Sequence, residues 1–414
     1  MQSIIDGISE DSFGEQRISF FKNNKLIESW MQNNNAQSKI SEIHLAKIIQ
    51  IVKPIKRVFY ELFNGSQVSA RYKLEPPKIG DLEIITILAE QRDGKPAHAQ
   101  RGFFLKSKYA IILNEENFVG ISKKIINEND REKLINLAIK TNLKNAGAII
   151  RSLADGIPED ELERDFLEVV TIWKRLRERI SHIKPTIIFE GHDLQKQAEY
   201  SFPNIKIIQD KCSFEFNKRN GLGQLLEAYN SIFNIKNGGT LYFENTKALT
   251  AIDIDSSKRD LDKGGLNKLA EDGLSLSLDL IRLRNSSGLI AIDMPRLSKY
   301  EFNERYEQIK LWSEDLSRNT RILGGTKGGV FEIICNHERA CLDDTENGVS
   351  KFIATEALKQ LSISKINNSN LYVSEHLNNI INSSFKKEFK GIKEIISTAK
   401  ILIDKSIDDD NFYL

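Results

Sequence analysis

The chain has 414 residues, which is enough for two to four modules with a well-buried core. Its 59 lysines and arginines balance 58 aspartates and glutamates, so any affinity for nucleic acid has to come from local patches of charge. The three cysteines form no CxxC pair and no apolar stretch is long enough to span a bilayer, which gives no zinc signature and predicts a soluble, cytoplasmic protein.

The N-terminal part of the chain is rich in predicted strands. The pattern of residues 17–30 predicts a hairpin, and four strand-like runs, broken by proline and glycine, follow between residues 43 and 90. Short strands at this spacing indicate a small barrel, and the five-stranded OB-fold is the commonest such barrel that binds single-stranded nucleic acid. Another pair of strands is predicted at residues 101–105 and 109–113.

From residue 130 onward the apolar residues recur with a helical period. Helices are predicted over residues 131–141, after Pro158 and near residues 225–233, and the apolar stripe of the second helix makes Trp173 a core residue. The segment from residue 350 onward alternates helix and short strands, which is typical of a small α+β domain. The fold class is therefore α/β, in an α+β multidomain arrangement.

Two short apolar runs, residues 248–253 and 288–293, each end in an aspartate. A helical segment lies between them, which predicts a β-α-β unit with parallel strands and a right-handed crossover. Asp253 and Asp293 would then leave the sheet at the same edge, about 5 Å apart if the strands are neighbours. Because magnesium takes one or two carboxylates plus water and phosphate oxygens, the pattern predicts a metal-assisted phosphoester site. The alternatives are two solvated strand ends, or Asp255 as the cap of the following helix.

Basic and aromatic residues give weaker signals for nucleic-acid binding. Residues 94–114 contain no acidic residue but four lysines and arginines, and further lysines follow. Such a cluster either follows a phosphate backbone or consists of ordinary solvated lysines. Phe59 and Tyr60 are neighbours in a predicted barrel strand, so one ring would face inward while the other could stack on a base.

Other functions lack their motifs. The glycine-rich segment 323–329 contains Lys327 but not the residue order of a nucleotide-binding loop. The six histidines show no HExxH or paired spacing, so no zinc hydrolase is indicated. Serine-nucleophile motifs are absent as well.

The order of these segments resembles the catalytic region of the ribonuclease E/G family of bacterial endoribonucleases, over most of the chain. The resemblance rests on residues 246–254, on 280–284 leading into 288–294, on 120–124 and on 147–152. In that family two strand-end aspartates hold the catalytic magnesium, so the resemblance implies that Asp253 and Asp293 are catalytic and bind Mg²⁺, or Mn²⁺. We expect Asp255, two residues after the first aspartate, to be a further metal ligand because of its charge. Metal-activated water would attack the phosphodiester in line and leave a 5′-phosphate and a 3′-hydroxyl.

The resemblance also implies contacts with RNA. The family has a pocket that prefers a 5′-monophosphate end, and its residues correspond here to Arg151, Ser152 and Lys123, the last of which keeps only the charge of the usual arginine. The other implied RNA-binding residues are Phe59 in the barrel, Lys95 in the RNA channel and Lys327 near the cleavage site.

The domain organisation follows from the same resemblance. It implies an RNase H-like and a deoxyribonuclease-I-like α/β core, into which an OB-fold RNA-binding barrel and a 5′-sensor subdomain are inserted. The expected boundaries are 1–41 and 186–235 for the RNase H-like subdomain, 42–100 for the barrel, 101–185 for the sensor, 236–340 for the catalytic subdomain and 345–414 for a small C-terminal α+β domain.

Three departures from the family pattern qualify the resemblance. Asp255 stands where an asparagine is usual, and its negative charge would either strengthen metal binding or disturb the water that this position should orient. The asparagine-containing helix motif between the two strands is replaced by Asp-Gly-Leu-Ser-Leu at residues 272–276. The CPxC motif that binds zinc between protomers is missing, since Cys341 stands alone, so we expect no structural zinc, and any homo-oligomer would form through other surfaces.

The leading hypothesis is a magnesium-dependent endoribonuclease that cleaves single-stranded RNA in rRNA processing or mRNA decay, with sensing of the 5′-monophosphate. The second hypothesis is a catalytically impaired RNA-binding paralogue of the same family, and Asp255 is the feature that motivates it. A third is a different metal phosphoesterase, which would act on small esters or DNA.

Overall fold

The computed structural model divides into two compact units. The first unit comprises Met1–Asn34 and Lys206–Leu414, and the second comprises Asn35–Ile205. The structure describes residues 5–13, 15–33, 36, 38–73, 75–91, 95–113, 117–181, 184–202, 204–211, 213–236, 238–256, 263–316, 319–326, 328–339, 341–342, 348–363, 370–396, 398–407 and 412–413. In these ranges no helix is both long and apolar enough to cross a membrane. The finer domain boundaries expected from the sequence stay a prediction.

The strands, in chain order, are β1 (Asp6–Ser12), β2 (Glu15–Lys22), β3 (Lys25–Asn33), β4 (Ile43–Val52), β5 (Arg57–Glu61), β6 (Gln67–Arg71), β7 (Leu82–Ala89), β8 (Ala97–Arg101), β9 (Leu105–Lys106), β10 (Ala110–Ile112), β11 (Val119–Ile121), β12 (Ala148–Ile150), β13 (Thr186–Phe189), β14 (Lys206–Gln209), β15 (Ile232–Asn234), β16 (Thr240–Asn245), β17 (Thr250–Asp255), β18 (Gly288–Asp293), β19 (Thr320–Gly325), β20 (Phe331–Cys335), β21 (Asn370–Val373), β22 (Lys400–Ile403) and β23 (Phe412–Tyr413). The α-helices are α1 (Glu128–Lys140), α2 (Glu159–Glu178), α3 (Leu194–Ser201), α4 (Phe214–Lys218), α5 (Gly221–Glu227), α6 (Lys263–Leu283), α7 (Lys299–Asp315), α8 (Gly348–Ile363), α9 (Glu375–Ser384) and α10 (Lys386–Ile395).

A closed barrel occupies the N-terminal part of the second unit. Strands β4, β5, β6, β8 and β7 pair in that order, and β7 pairs back with β4, which confirms the five-stranded OB-like barrel. Its interior is apolar, with Ile48, Val58 and Val68 fully buried. The strand predicted at residues 101–105 is wrong, because Gly102 adopts a positive φ of 86° and ends β8, the fifth barrel strand, at Arg101.

Beyond the barrel strands, the second unit contains a small sheet with the order β11-β12-β10-β9. Helices α1 and α2 cover one face of it, and α2 begins directly after Pro158, as the sequence predicts. Its apolar stripe includes Phe166 and Trp173, which are both buried, so the prediction that Trp173 is a core residue is confirmed.

The first unit contains a six-stranded sheet with the order β15-β16-β17-β18-β20-β19. Strands β17 and β18 are parallel neighbours with α6 between them in sequence, which confirms the predicted β-α-β unit. Helix α6 packs closely on β17, because a Cβ atom on Gly273 would lie 2.7 Å from the side chain of Ile254. The replacement of the family's helix motif at residues 272–276 therefore has a packing role here.

One further prediction is corrected in this unit. The helix predicted near residues 225–233 is two elements, because α5 ends at Glu227 and β15 follows, and their apolar residues merge into one apparent helical period. Two glycines of segment 323–329, Gly324 and Gly325, lie in β19. A Cβ atom on Gly325 would lie 1.8 Å from the ring of Phe302, so this glycine permits a helix to approach the sheet.

A buried ionic cluster joins the sheet β14-β1-β2-β3 to α8 in the first unit. Arg17 of β2 pairs with Glu10 of β1 and with Glu356 of α8 at 3.0 Å, and Lys359 of α8 donates to Glu10 at 2.6 Å. Each of these four residues is at most 6% exposed. Burial alone would raise the pKa of Glu10, but the charges of Arg17 and Lys359 outweigh it and hold the pKa below its ordinary value.

The arginines of the segment at residues 280–284, which supports the family resemblance, have structural roles. Arg282 of α6 binds Glu28 of β3 at 3.0 Å, and the Arg284 guanidinium donates to the carbonyl oxygens of Ala228 and Asn230. All of these contacts lie within the first unit, so this motif connects the end of α6 to β3 and to the segment before β15.

Candidate active site

The two aspartates predicted from the sequence lie side by side on the six-stranded sheet. The register of β17 and β18 pairs Asp253 with Asp293. Ile252 and Ile292, which precede them, are buried with α6 and α7, so strand alternation turns both carboxylates to the opposite, exposed face. Because adjacent strands lie about 4.8 Å apart, two like charges stand next to each other at the carboxyl ends of parallel strands.

The electrostatics of this pair suit a cation. Burial raises the pKa of Asp253, and the charges of Asp293 and Asp255 raise it further, whereas a hydrogen bond from the backbone N–H of Ile254 lowers it. A carboxylate whose pKa is raised by neighbouring carboxylates is stabilised by any positive charge placed between them. Carboxylate oxygens are also the ligands that Mg²⁺ prefers, so the residues present fit a hard divalent ion.

Asp255 adds charge to the site from the end of β17. It lies two residues beyond Asp253 on the same exposed face, paired with Thr240 of β16. Within the described ranges, no three His, Cys, Asp or Glu side chains are arranged to hold one metal ion, so the structure does not bring Asp255 into a three-carboxylate cluster with the pair. Its alternative role as a helix cap concerns residues 257–262, which lie outside those ranges.

The same face of the sheet carries one residue that sequence reasoning missed. The register pairs Tyr242 of β16 with Asp253, and Tyr242 is 37% exposed. Leu241 and Phe243, its neighbours in sequence, are buried on the other face. The alternation of apolar and polar residues over Thr240–Asn245 is the sequence signal that points to this strand.

The outer surface of the barrel presents an aromatic ring. In β5, Val58 and Tyr60 are fully buried while Phe59 faces outward, which confirms that the two rings lie on opposite sides. Phe59 pairs with Ser69 of β6. Lys95, the second predicted RNA contact of this region, is exposed just before β8.

Three basic residues beside Phe59 were not predicted. Arg57 pairs with Arg71 and donates to Ser69 Oγ at 2.8 Å, and Ser69 pairs in turn with His98. Burial lowers the pKa of His98, and the charges of Arg57 and Arg71 lower it further. Arg57 and Arg71 thus add two positive charges to the barrel surface around Phe59. A groove of about 500 Å³ in the barrel is lined in part by Arg71 and His98.

The predicted sensor residues lie at one edge of the small sheet in the second unit. Strands β11 and β12 are parallel and pair Ile121 with Ile150. Lys123 follows the first strand, and Arg151 and Ser152 follow the second, so all three residues are at the same edge. Lys123 is exposed, and the other two are half-buried.

The guanidinium of Arg151 also forms structural hydrogen bonds within the second unit. Its Nη1 donates to the carbonyl oxygens of Ser107 at 2.9 Å, Lys108 at 2.6 Å and Tyr200 at 2.7 Å. Burial lowers the pKa of Arg151 to about 10, while the charge of Asp165 opposes that shift, so the group stays cationic at neutral pH. A phosphate would have to bind through the other nitrogens of this side chain.

Two residues of the predicted basic strip form ion pairs with carboxylates of the second unit. In the basic segment 94–114, Arg101 forms an ion pair with Glu83, and Lys108 forms one with Glu161 at 2.9 Å. Part of the predicted basic strip thus neutralises nearby carboxylates. Lys327 lies outside the described residues, so its predicted place near the cleavage site stays a prediction.

Comparison with known proteins gives a family-level match. The model of the Ribonuclease E/G family matches residues 104–209 and 194–337, together more than half of the chain. Ribonuclease G of Haemophilus influenzae is 25% identical over 342 residues, which cover 74% of this chain and 68% of that protein. Ribonuclease G of Escherichia coli K12 is 23% identical over 257 residues, which cover 54% of this chain and 52% of that protein.

The paired aspartates, the OB-like barrel and these similarities define the class of the protein, which is that of endoribonucleases. The chain belongs to the ribonuclease E/G family. The matches span between half and about two thirds of the ribonuclease G relatives.

Proposed function

We propose that this protein cleaves single-stranded RNA internally with the help of a divalent metal ion, in RNA processing or decay in the cytoplasm, and leaves a 5′-phosphate and a 3′-hydroxyl. The observation that carries this proposal is the register of β17 and β18, which pairs Asp253 with Asp293 on an exposed sheet face. The names of the ribonuclease relatives support RNA as the substrate.

Asp253 and Asp293 would hold the ion, which is Mg²⁺ in the first instance and Mn²⁺ as a substitute. When bound, such an ion supplies Lewis-acid chemistry, which makes water a better nucleophile and stabilises negative charge on phosphate oxygens. The two carboxylates leave room for water and RNA in the remaining coordination positions. Asp255 raises the local negative charge and so favours cation binding.

The barrel surface would bind the RNA substrate. Phe59 offers a ring on which a base can stack, and Arg57 and Arg71 flank it with positive charge for the phosphates. Lys95, which is exposed just before β8, would add a further cation.

Subdomain assignments form part of the same proposal. We assign the six-stranded sheet with α6 and α7 to the deoxyribonuclease-I-like subdomain, and the sheet β14-β1-β2-β3 to the RNase H-like subdomain. The element order and the sheet pairings support these assignments.

The proposal is tested with 5′-labelled, A/U-rich single-stranded RNA. Purified protein should produce discrete internal cuts with Mg²⁺ and none with EDTA, and the downstream fragments should be ligatable through their 5′-phosphate ends. RNA binding without cleavage would favour the catalytically impaired paralogue. Cutting of DNA or small phosphoesters at similar rates would favour a different metal phosphoesterase.

Replacing Asp255 distinguishes the enzyme from the paralogue. We expect Asp255→Asn to raise the Mg²⁺ concentration for half-maximal cleavage about fivefold, because one exposed charge near a divalent ion is worth roughly 1 kcal/mol. A magnesium titration of both proteins measures this shift. If instead the unmodified protein is inert and Asp255→Asn cleaves RNA, then Asp255 is the change that impairs catalysis.

Sensing of the RNA 5′ end is best tested at Lys123. We expect Lys123→Ala to narrow the ratio of cleavage rates on 5′-monophosphate and 5′-hydroxyl RNA by about twofold to fivefold, the effect of one exposed ion pair. Cleavage of circular RNA, which has no 5′ end, should be unchanged. Lys133→Ala, which removes a lysine that is 77% exposed on α1, is the matched control.

Arg151 is a poorer choice for that test, because its alanine variant also removes three structural hydrogen bonds. Equal rates of the unmodified protein on both 5′ ends would contradict sensing altogether.

A further inference from the structure

An apolar ledge adjoins the aspartate pair on the exposed face of the six-stranded sheet. The register pairs Asp293 with Asp253, Asp253 with Tyr242 of β16, and Tyr242 with Ile232 of the edge strand β15. Tyr242 is 37% exposed and Ile232 is 59% exposed. A single row across four strands therefore combines two carboxylates with two exposed apolar side chains.

The ring of Tyr242 is not part of the hydrophobic core of the six-stranded sheet. Its neighbours in β16, Leu241 and Phe243, fill the core beneath α6 and α7, whereas Tyr242 is on the face away from these helices. Its hydroxyl makes no hydrogen bond to any residue in the described ranges. The ring is thus held beside Asp253 by a strand that is anchored from the other side.

The charges on the same face indicate what the ledge would accept. The neighbouring row pairs Glu244 with Ala251, Ala251 with Ala291, and Ala291 with Glu332. Because the two alanines have short side chains, they project little from the sheet at these positions next to the carboxylates. The two glutamates repel phosphate groups. An uncharged, flat group is therefore a better occupant of this surface than a second phosphate.

We infer that the ring of Tyr242 stacks on the base of a nucleotide next to the scissile phosphate and so helps to determine where RNA is cut. This inference rests on the proposed nuclease function. The ring is one strand away from Asp253, about 4.8 Å in the pairing direction, so it is adjacent to any phosphate held over the aspartates. Stacking of a base on an aromatic ring changes an equilibrium by about fivefold to a hundredfold and tolerates different bases.

The experiment uses the full chain with Mg²⁺ and an A/U-rich oligoribonucleotide whose cleaved bond has been mapped. Two further substrates carry an abasic nucleotide immediately 5′ or immediately 3′ of that bond. The variants are Tyr242→Val, which removes the ring but keeps a good strand former, and Tyr242→Phe, which keeps the ring. The matched control is Phe214→Ala, which removes another exposed aromatic ring, in α4.

One of the two abasic substrates should be cut about tenfold more slowly by the unmodified protein. Tyr242→Val should cut the intact RNA more slowly by a similar factor and should no longer distinguish it from that abasic substrate. Tyr242→Phe should restore both the rate and the discrimination, and Phe214→Ala should behave like the unmodified protein.

Stacking is overturned if Tyr242→Val still discriminates against the abasic substrate as the unmodified protein does, or if the unmodified protein cuts all three substrates equally. Either result leaves the nuclease function intact. The absence of any magnesium-dependent cut by the unmodified protein overturns the nuclease function and the stacking with it.

Discussion

Substituting asparagine for Asp253 or Asp293 should lower the rate of RNA cleavage about a thousandfold, because a metal ion contributes several kcal/mol to stabilisation of the transition state. Asparagine keeps the size of the side chain but removes the charge, so one carboxylate of the Asp253–Asp293 pair remains. The double variant should be no less active than either single variant, since both act through the same ion. Single-turnover cleavage of labelled RNA at saturating Mg²⁺ measures the loss.

Asp279→Asn is the matched control for this prediction. Asp279 lies on α6 in the same unit, and its ion pair with Lys25 is exposed, so the variant should keep full activity. Each aspartate variant should bind RNA with nearly unchanged affinity, because the barrel surface is intact. Substantial cleavage by both Asp253→Asn and Asp293→Asn would rule out this pair as the metal site.

Arg17→Met should destabilise the first unit by about 3–5 kcal/mol, the usual effect of removing one partner from a buried ion pair. Methionine keeps much of the apolar stem but leaves Glu10 and Glu356 buried without their shared cation. It also removes the guanidinium that lies 4.1 Å from the ring centre of Phe216. Urea unfolding followed by circular dichroism and tryptophan fluorescence measures the change.

Lys25→Met provides the control, since it breaks an exposed ion pair that contributes less than about 1 kcal/mol.

A second measurement follows the stability of the first unit as a function of pH. Because the pKa of Glu10 is held below its ordinary value of 4.5, its contribution to stability is present above that value and is lost as pH falls through the lowered pKa. Burial raises the pKa of Glu15 nearby, which has the opposite sign, so the comparison has to be made with Glu10→Gln. If the free energy of unfolding of Glu10→Gln falls at low pH just as it does in the unmodified protein, the role of Glu10 is contradicted.

The aspartate pair could be predicted from the sequence because every step was local. Each aspartate ends a short apolar run, and a helical segment separates the two runs. The period of the apolar residues therefore predicts two parallel strands without information on any contact. The barrel was predictable for the same reason, since proline and glycine mark the ends of its strands. Its fifth strand was not predicted because Ala97–Arg101 has small and polar residues instead of an apolar alternation.

The rest depends on contacts between residues that are distant in sequence. The residues next to Arg151 in sequence do not indicate that its guanidinium binds the carbonyl oxygen of Tyr200. The sequence therefore suggested only that Arg151 binds a phosphate, whereas the structure shows that it also connects two distant segments. Likewise, the proximity of Tyr242 to Asp253 follows from the pairing of β16 with β17. The basic residues around Phe59 come from three different strands and become neighbours only when the barrel closes.

The discontinuity of the first unit has a consequence for biosynthesis. Its N-terminal strands leave the ribosome first, but β14, which pairs with β1, and α8, which supplies Glu356 and Lys359, are translated only after the whole of the second unit. The continuous second unit can fold on the nascent chain. The early strands lack β14 and α8 at that stage, so Arg17 and Glu10 are still hydrated. A polypeptide released before α8 is made would lack the partners that neutralise these two residues, and it should be a preferred target of proteases.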